Sequence, residues 1–227
     1  MAITLNASTR EGHASQITID DHPNTCPICH ASIQPQLLVA YHVYDAAPRR
    51  AEIVYRCAKL SCQLLFIGHF RGVAGSPNSY ELGDTEPSRP KRSEFPIEIV
   101  ALSPMFDEVY NQAVAAETYR LDQLTGTGYR KALEFLVKDF AIAQRPEDKD
   151  AIERSLLGGV IERYIDDARV KATAKRAAWL GNDETHYIRK WEGKDIQDLK
   201  TLIRLTVNWI ENVLLTAHYT KDMPDSK

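Results

Sequence analysis

Two closely spaced cysteine pairs decide the fold of the first half of the chain: Cys26-Pro27-Ile28-Cys29 and Cys57-Ala58-Lys59-Leu60-Ser61-Cys62. They contain all four cysteines of the 227 residues. Thiolates are soft ligands, and Zn²⁺ prefers four ligands at tetrahedral corners, which two such pairs can provide. The spacing therefore predicts one zinc ion per chain, bound by the four ligands Cys26, Cys29, Cys57 and Cys62.

Two disulfides or four free thiols are the alternatives for the same cysteines. The N-terminus lacks a basic segment followed by an apolar one, so it does not resemble a secretory signal, and cytosolic proteins rarely keep disulfides. A histidine beside the first pair, His22 or His30, is an alternative ligand to one cysteine. Four cysteines leave no open coordination position for a substrate or a water, so the predicted role of the zinc is structural.

Composition and charge restrict the class of protein. Hydrophobic residues make up 44% and charged residues 26%, which are ordinary values for a globular chain. No apolar run approaches the ~18 residues that a membrane span needs, so we expect a cytoplasmic protein without a membrane partner. The net charge is −3, which argues against a uniformly basic nucleic-acid-binding surface and leaves room for a local basic patch.

Hydrophobic patterning divides the N-terminal part into three predicted segments. Residues 1–22 show no helical period and are predicted to be a flexible arm, with at most a short strand at 16–19. Residues 23–83 hold strand-like stretches around the cysteines and predict a small β zinc-ribbon module. Residues 84–102 are predicted to be a linker, because three prolines and mixed charges oppose regular structure there.

The period of the apolar residues becomes helical at Ser103-Pro104, where Ser suits an N-cap and Pro the first helical position. The pattern predicts helices at about 128–143, 166–180 and 195–218, and a region at 147–165 that Gly158-Gly159 interrupts. Residues 103–220 are therefore predicted to form an all-α up-and-down bundle. The predicted fold class is α+β, a small N-terminal β zinc ribbon followed by this bundle.

One segment between the last two predicted helices, Leu180-Gly181-Asn182-Asp183-Glu184-Thr185-His186-Tyr187, combines groups suited to chemistry. As a plain helix–helix connection, Gly181 would end one helix, and Asn182 or Asp183 would cap the next turn. As a site, His186 would move the proton of an RNA 2′-hydroxyl, while a neighbouring guanidinium would stabilise the negative charge of the phosphorane. The sequence leaves both interpretations open.

Cations flank this segment on both sides. The residues predicted to contact nucleic acid are Arg169, Lys175, Arg189 and Lys190, and Arg176 precedes the segment by one helical turn. Trp191, which follows the charged stretch, is a possible base or partner contact. Arg130 and Glu134 lie one turn apart on an earlier predicted helix. They are interpreted either as an ion pair that shapes a groove or as a plain surface ion pair.

Two short motifs resemble the family named domain of unknown function 4145: the stretch 128–134 on a helix and the stretch 180–186 before the last helix. Members of this family often carry an N-terminal cysteine ribbon. The family is grouped with the HEPN superfamily (higher eukaryotes and prokaryotes nucleotide-binding), whose members are bundles of four or five helices that commonly dimerise. Many are metal-independent RNases in toxin, CRISPR and phage-defence systems, and others only bind RNA or a nucleotide.

The resemblance implies specific roles. Asn182 and His186 match the polar and histidine positions of the HEPN catalytic motif, Gly181 stands at the arginine position, and Arg176 or Arg169 is the substitute cation. Arg130 and Glu134 match family positions. The resemblance thus implies an HEPN-like homodimer that binds RNA or a nucleotide in a bacterial or phage defence, toxin or restriction-related system. Whether it is a metal-independent endoribonuclease or a non-catalytic interaction module with a protein partner stays open.

Overall fold

The computed structural model describes residues 2–183, 190–191 and 193–223. The chain divides into two units, Met1–Lys91 and Arg92–Lys227, which we call the β unit and the helical unit and describe separately. Among the described residues, no helix combines the length and the apolar character that crossing a membrane would require.

The strands of the β unit are β1 (Ile3–Ser8), β2 (Ala14–Ile19), β3 (Gln36–Val43), β4 (Arg50–Arg56), β5 (Leu65–Gly72) and β6 (Ser79–Glu86). They close into a barrel in the order β1-β2-β6-β5-β4-β3. Antiparallel pairs join β1 to β2 and link β3 through β6 in sequence. Two short parallel pairs, Ser8 with Tyr41 and Thr18–Ile19 with Ser79–Tyr80, close the ring.

The interior of this closed sheet follows from alternation along the strands. In β4, Ala51, Ile53 and Tyr55 are buried while the residues between them are half-buried, because successive side chains point to opposite faces of a strand. Tyr55 stacks on Phe66 of β5 with ring centroids 5.5 Å apart. The same interior contains Cys26 and Cys57, so the cysteine pairs belong to the core of the β unit.

The α-helices of the helical unit are α1 (Ile97–Leu102), α2 (Pro104–Thr118), α3 (Asp122–Gln144), α4 (Lys149–Arg154), α5 (Leu157–Tyr164), α6 (Ala168–Asp183) and α7 (Ile196–Asp222). A single 3₁₀ turn at Pro146–Asp148 precedes α4. All seven α-helices contribute to one apolar core, with α3 at its centre. Helices α2 and α3 approach closely at Gly128, where an added Cβ would lie 2.9 Å from the Cβ of Ala113.

A sheet followed by helices is compatible with the predicted α+β class, but the predicted architecture is wrong in both halves. The N-terminal part is a six-stranded closed sheet that uses residues 3–86, whereas the prediction was a small ribbon at 23–83. The predicted flexible arm at 1–22 contains β1 and β2. The short strand expected at 16–19 lies inside β2, and β2 pairs locally with β1. The parallel pairs with β3 and β6 that close the barrel join segments far apart in the sequence, so no local pattern predicts them.

The C-terminal part also differs from the predicted all-α HEPN-like bundle. It contains long helices, but α1, α4 and α5 have only six, six and eight residues. The chain breaks at Ser155-Leu156, and Gly158-Gly159 lie inside α5. Helix α3 begins at Asp122, six residues before the predicted start. An up-and-down bundle is thus not what the described residues form.

The boundaries near the predicted linker and loop shift as well. β6 continues to Glu86 and α1 begins at Ile97, so the stretch without helix or strand covers 87–96. Gly181 does not end a helix, because α6 continues to Asp183. The N-cap of α7 is Asp195, whose side chain accepts the N–H groups of Gln197 and Asp198 at 2.9 and 3.1 Å.

Candidate metal centre and aromatic cleft

The four cysteines form one cluster in the β unit. Their sulfur atoms all lie within 4.8 Å of one another, and Cys29 Sγ is 3.8 Å from Cys57 Sγ. A disulfide needs about 2.05 Å, so the thiols are free. Zn–S bonds of about 2.3 Å at tetrahedral angles place neighbouring sulfurs about 3.8 Å apart. The four cysteines therefore can hold a metal ion.

The first cysteine pair is shaped by a tight turn. The N–H of Cys26 donates to the carbonyl of Ala31 at 3.0 Å, and the N–H of His30 donates to the carbonyl of Cys26 at 2.9 Å. His30 adopts a positive φ of 56°, which turns the chain directly after Cys29. The turn thus presents both sulfurs to one side.

The second pair uses the same design with a longer loop. The N–H of Cys62 donates to the carbonyl of Lys59 at 2.9 Å, and the N–H of Cys57 donates to the carbonyl of Leu64 at 3.0 Å. Gln63 has a φ of 51° directly after Cys62, as His30 does after Cys29. The four residues between these cysteines therefore fold into a turn that still brings the sulfurs together.

The thiols of the cluster differ in acidity without a bound ion. The backbone N–H of Ala31 donates to Cys29 and, together with the neighbouring thiols, lowers the pKa of that thiol to about 7, although burial opposes the shift. Burial raises the pKa of the Cys57 thiol to about 12, against the N–H of Lys59. Metal ligation requires deprotonated thiols. The charge of a bound metal ion would therefore have to offset the free-energy cost of burying the Cys57 thiolate.

The two histidines near the first pair are not part of the cluster. The Nδ1 atom of His22 forms a hydrogen bond with the hydroxyl of Tyr55 at 3.0 Å. His30 contributes its backbone to the turn, as described above. The donor set among the described residues is therefore four sulfurs.

In the helical unit, the predicted catalytic segment lies only partly within the described residues. His186 and Arg189 lie outside them. Asn182 lies in the last turn of α6, and its Oδ1 accepts a hydrogen bond from Nε of Arg130 on α3. The same crossing explains Gly181, because a Cβ there would lie 2.6 Å from Cβ of Arg130. A larger residue at 181 would push α6 away from α3.

Arg130 also extends along its own helix. Its Nη1 lies 3.7 Å from Oε2 of Glu134, and Glu134 Oε1 accepts from Nζ of Lys138 at 2.9 Å. Burial raises the pKa of Glu134, but the neighbouring Lys138, Lys131 and Arg130 outweigh it and hold that pKa below its usual value. Glu134 is thus a charged carboxylate that fixes the cations of α3 around it.

Two of the predicted cations of α6 form ion pairs with carboxylates that lie outside this helix. Lys175 forms an ion pair with Glu162 of α5, and Arg169 Nη2 lies 3.5 Å from Asp167 Oδ2. Arg176 donates from Nη1 to the carbonyl of Ala172 at 2.8 Å. The described contacts therefore do not bring Arg176 to Asn182 as the substitute-cation hypothesis required. Exposed ion pairs contribute only about 0–1 kcal/mol, so these cations can exchange partners.

A buried carboxylate fixes the chain on the far side of the predicted loop. Asp183 is 4% exposed, and its two oxygens accept the N–H of Lys190 at 2.8 and 2.9 Å and the N–H of Trp191 at 2.9 Å. Asp195 is the N-cap of α7, so the alternative in which Asp183 caps that helix does not apply. Asp183 closes the end of α6 against residues 190–191. The side chain of Lys190 remains exposed.

This anchor places two tryptophans on one cleft. Trp179 and Trp191 are 51% and 49% exposed, and both line a cavity of about 290 Å³ with Arg176, Lys194, Leu180 and Leu202. Both also line an adjoining cavity of about 310 Å³ with Asn182, Asp183 and Lys190. We call these the first and second cavities, and together the aromatic cleft. Small-ligand sites begin at about 300 Å³.

The exposure of the two indoles is unusual. Tryptophan normally buries most of its ring, and half-exposed tryptophans are enriched at binding surfaces. Within the described part of the chain, neither indole stacks on another aromatic ring. Trp209, by contrast, packs edge-on against Phe140 at 5.2 Å. The sequence singled out Trp191 but missed Trp179.

The comparisons add no relative. The chain was compared with protein-family models, with curated proteins and with solved structures, and none of them matched. The resemblance to the domain of unknown function 4145 family, the homodimer, the protein partner and the defence-related setting therefore stay predictions.

Proposed function

We propose that this protein binds unpaired nucleobases in the aromatic cleft of its helical unit, while a Zn²⁺ ion held by the four cysteines stabilises its β unit. One observation carries the binding proposal: two half-exposed indoles, Trp179 and Trp191, line the same cleft together with Arg176 and Lys194. Nucleic-acid ligands combine flat aromatic faces with phosphate charge. The cleft offers a complement to both.

The physical basis is base–aromatic stacking. Every base has a π face, and stacking on a protein aromatic ring contributes about 1–3 kcal/mol per base. Lys194 is paired with Asp198 at 3.1 Å on the surface, a weak type of pair that phosphate can displace. A quaternary ammonium ligand also binds indole faces, but the first cavity is lined by Arg176 and Lys194 against the single carboxylate of Asp198, and this net positive charge would repel it. The charges therefore favour an anionic ligand.

The cleft is also held ready for its ligand. Trp191 is tied to α6 by the Asp183 carboxylate, and Trp179 lies one helical turn before Asp183 on the same helix. A wall that is already fixed loses little conformational freedom on binding, which increases affinity. Asp183 therefore supports binding through its hold on Trp191.

Zinc fits the cysteine cluster by ligand type, number and distance. Four sulfurs can complete a tetrahedral shell, so the ion would have no free position for a substrate and its contribution would be to folding. Cys26 and Cys57 are among the most buried residues of the β unit, so an ion bound to them would lie in the core between two turns. The β unit would lose this connection without the ion.

Fluorescence anisotropy tests the binding proposal. The probe is a fluorescein-labelled single-stranded oligouridylate, with wild type compared against Trp179→Ala and Trp191→Ala. Loss of one stacking partner should weaken binding roughly 5- to 150-fold. Tyr219→Ala is the matched control, because Tyr219 is 59% exposed and lies about 30 Å along α7 from Asp198; it should bind like wild type.

Two outcomes would contradict the proposal. The first is that wild type binds no probe at all, and the second is that both tryptophan variants bind as tightly as wild type. A choline titration monitored by tryptophan fluorescence provides a further arm, since saturation by choline but not by the oligonucleotide would identify a cation site. The affinity for the oligonucleotide should also fall steeply with salt concentration.

A further inference from the structure

The aromatic cleft consists of two cavities that share the same two indoles. Trp179 and Trp191 line the first cavity and also the second. The remaining lining groups differ, with Leu180 and Leu202 in the first, and Asn182 and Lys190 in the second. The tryptophans therefore stand at the boundary between two compartments of nearly equal volume, about 290 and 310 Å³.

We propose that the cleft receives two successive bases of a single strand, one in each cavity, so that its minimal ligand is a dinucleotide. This inference rests on the proposed function and names the ligand class of the same site. Each compartment is at the small end of ligand-site volumes, which suits one base with its sugar. A paired duplex is excluded from such a compartment, because its bases are stacked and closed to side chains.

The geometry of a strand is compatible with this arrangement. Stacked bases are about 3.4 Å apart, so one ring inserted between two bases needs a separation of about 7 Å. An extended nucleotide can span that distance because its backbone has several rotatable bonds. Cations line both compartments, with Arg176 and Lys194 in the first and Lys190 in the second. Each compartment also holds one carboxylate, Asp198 in the first and Asp183 in the second, so the cations are in excess and the phosphate that joins the two nucleotides would lie in a net positive cleft.

The two compartments predict different base preferences. The first is lined by the two indoles, Leu180 and Leu202, and Asp198 there is paired with Lys194. A base in this cavity would be held mainly by stacking and apolar contact, which any base can make. The second is lined by the Asn182 amide and the Asp183 carboxylate, groups that form directional hydrogen bonds. Sequence preference is therefore expected for the nucleotide in the second cavity.

A length series tests the inference on the wild-type chain. Uridine monophosphate, the dinucleotide UpU and a tetranucleotide are titrated while tryptophan fluorescence is followed. The dinucleotide should bind at least about tenfold more tightly than the mononucleotide, because a second stacking interaction is added. The step from dinucleotide to tetranucleotide should be smaller. A self-complementary duplex should bind no better than the mononucleotide.

A cavity-filling variant gives the second measurement. Thr201 is exposed on α7 and lines only the first of the two cavities. Thr201→Phe should fill that cavity and reduce the affinity for UpU to that for the mononucleotide. Thr220→Phe, a change of the same type at an exposed position near the end of α7, should keep the wild-type ratio. Circular dichroism confirms that both variants fold.

The outcomes separate this inference from the proposed function. Equal affinities for mononucleotide and dinucleotide, or an unchanged ratio in Thr201→Phe, would overturn the two-base site while one-base binding survives. No binding of any member of the series would overturn both proposals. A tenfold step that disappears in Thr201→Phe alone is the result expected if both are correct.

Discussion

Replacing Asp183 by Asn tests whether a buried carboxylate builds the aromatic cleft. The side chain is 4% exposed and accepts the backbone N–H groups of Lys190 and Trp191 at 2.8 to 2.9 Å. An amide of the same shape keeps one oxygen as acceptor, but it turns an NH₂ group toward a backbone donor. The variant should therefore release the segment that carries Trp191 while α6 stays intact.

The magnitude follows from the number and type of hydrogen bonds. A hydrogen bond to a charged group contributes about 1.5–3 kcal/mol. The substitution removes the charge of the acceptor and at least one of the hydrogen bonds from the N–H groups of Lys190 and Trp191. Lys190 and Trp191 are exposed, so their N–H groups can turn to water, which limits the loss to about 2 kcal/mol. If about 2 kcal/mol less free energy holds Trp191 in its binding position, ligand binding weakens about 30-fold.

The assay combines two measurements on the same protein. Oligouridylate affinity is measured by anisotropy, and the accessibility of the tryptophans is measured by iodide quenching of their fluorescence. Asp183→Asn should bind about 30-fold more weakly and quench more readily, and the loss of about 2 kcal/mol should lower its melting temperature by about 4–8 °C. Asp166→Asn, the same change at an exposed position before α6, is the control. Unchanged affinity in a folded Asp183→Asn protein would refute the reasoning.

Three further predictions concern the other parts of the molecule. Purified protein should contain about one zinc per chain, and Cys57→Ser should lose it and lower the melting temperature of the β unit; a metal-free wild type would contradict the zinc assignment. Glu117→Gln should destabilise the protein by about 1–2 kcal/mol at pH 7, because Glu117 accepts hydrogen bonds from Tyr129 and from Lys200 at 2.6 and 2.9 Å. Burial raises the pKa of Glu117, but these hydrogen bonds outweigh it and the pKa is lowered. The contribution of the Glu117 carboxylate to stability is therefore complete above about pH 4.3 and is lost as the pH falls through the lowered pKa of the folded state. A destabilisation by Glu117→Gln that stays the same at pH 3 would refute this. Finally, if the segment around His186 cleaves RNA, His186→Ala should abolish cleavage in EDTA, and equal cleavage by both proteins would exclude that histidine as the base.

The metal cluster could be predicted from the sequence, while the sheet around it could not. Cys26 and Cys29 are close in the chain, and one turn is enough to bring their sulfurs together. The pairing of Ser8 with Tyr41 depends on a contact between strands separated by more than thirty residues. The six residues of β1 do alternate between apolar and polar, as a half-buried strand does, but this alternation does not identify β3 as the partner. Local spacing therefore located the ligands, and long-range pairing determined the fold that contains them.

The aromatic cleft shows the same division between local and long-range information. The buried positions of α6 include Ala174, Ala177 and Ala178, so a helical projection places Trp179 about 150° from the centre of this small-residue stripe, on the opposite face of the helix. That placement was available from the sequence. The role of Asp183 was not available, because it depends on residues 190–191 returning to the end of α6.

The contact between Gly181 and Arg130 changes the chemical interpretation of the predicted catalytic segment. The resemblance places a glycine where the catalytic motif has a cation, and Arg176 was the proposed substitute. In the structure the missing side chain at Gly181 is what allows Arg130 to cross α6 and donate to Asn182, while Arg176 faces the first cavity with Trp179. The two arginines therefore have different roles. Arg130 fixes the end of α6 on α3, and Arg176 contributes positive charge to the cleft. Loss of the Arg176 side chain should weaken nucleotide binding and leave the packing of α6 unchanged. Loss of the Arg130 side chain should instead loosen the packing of α6 on α3. Any effect of Arg130 on binding must therefore come through the positions of Trp179 and Asp183.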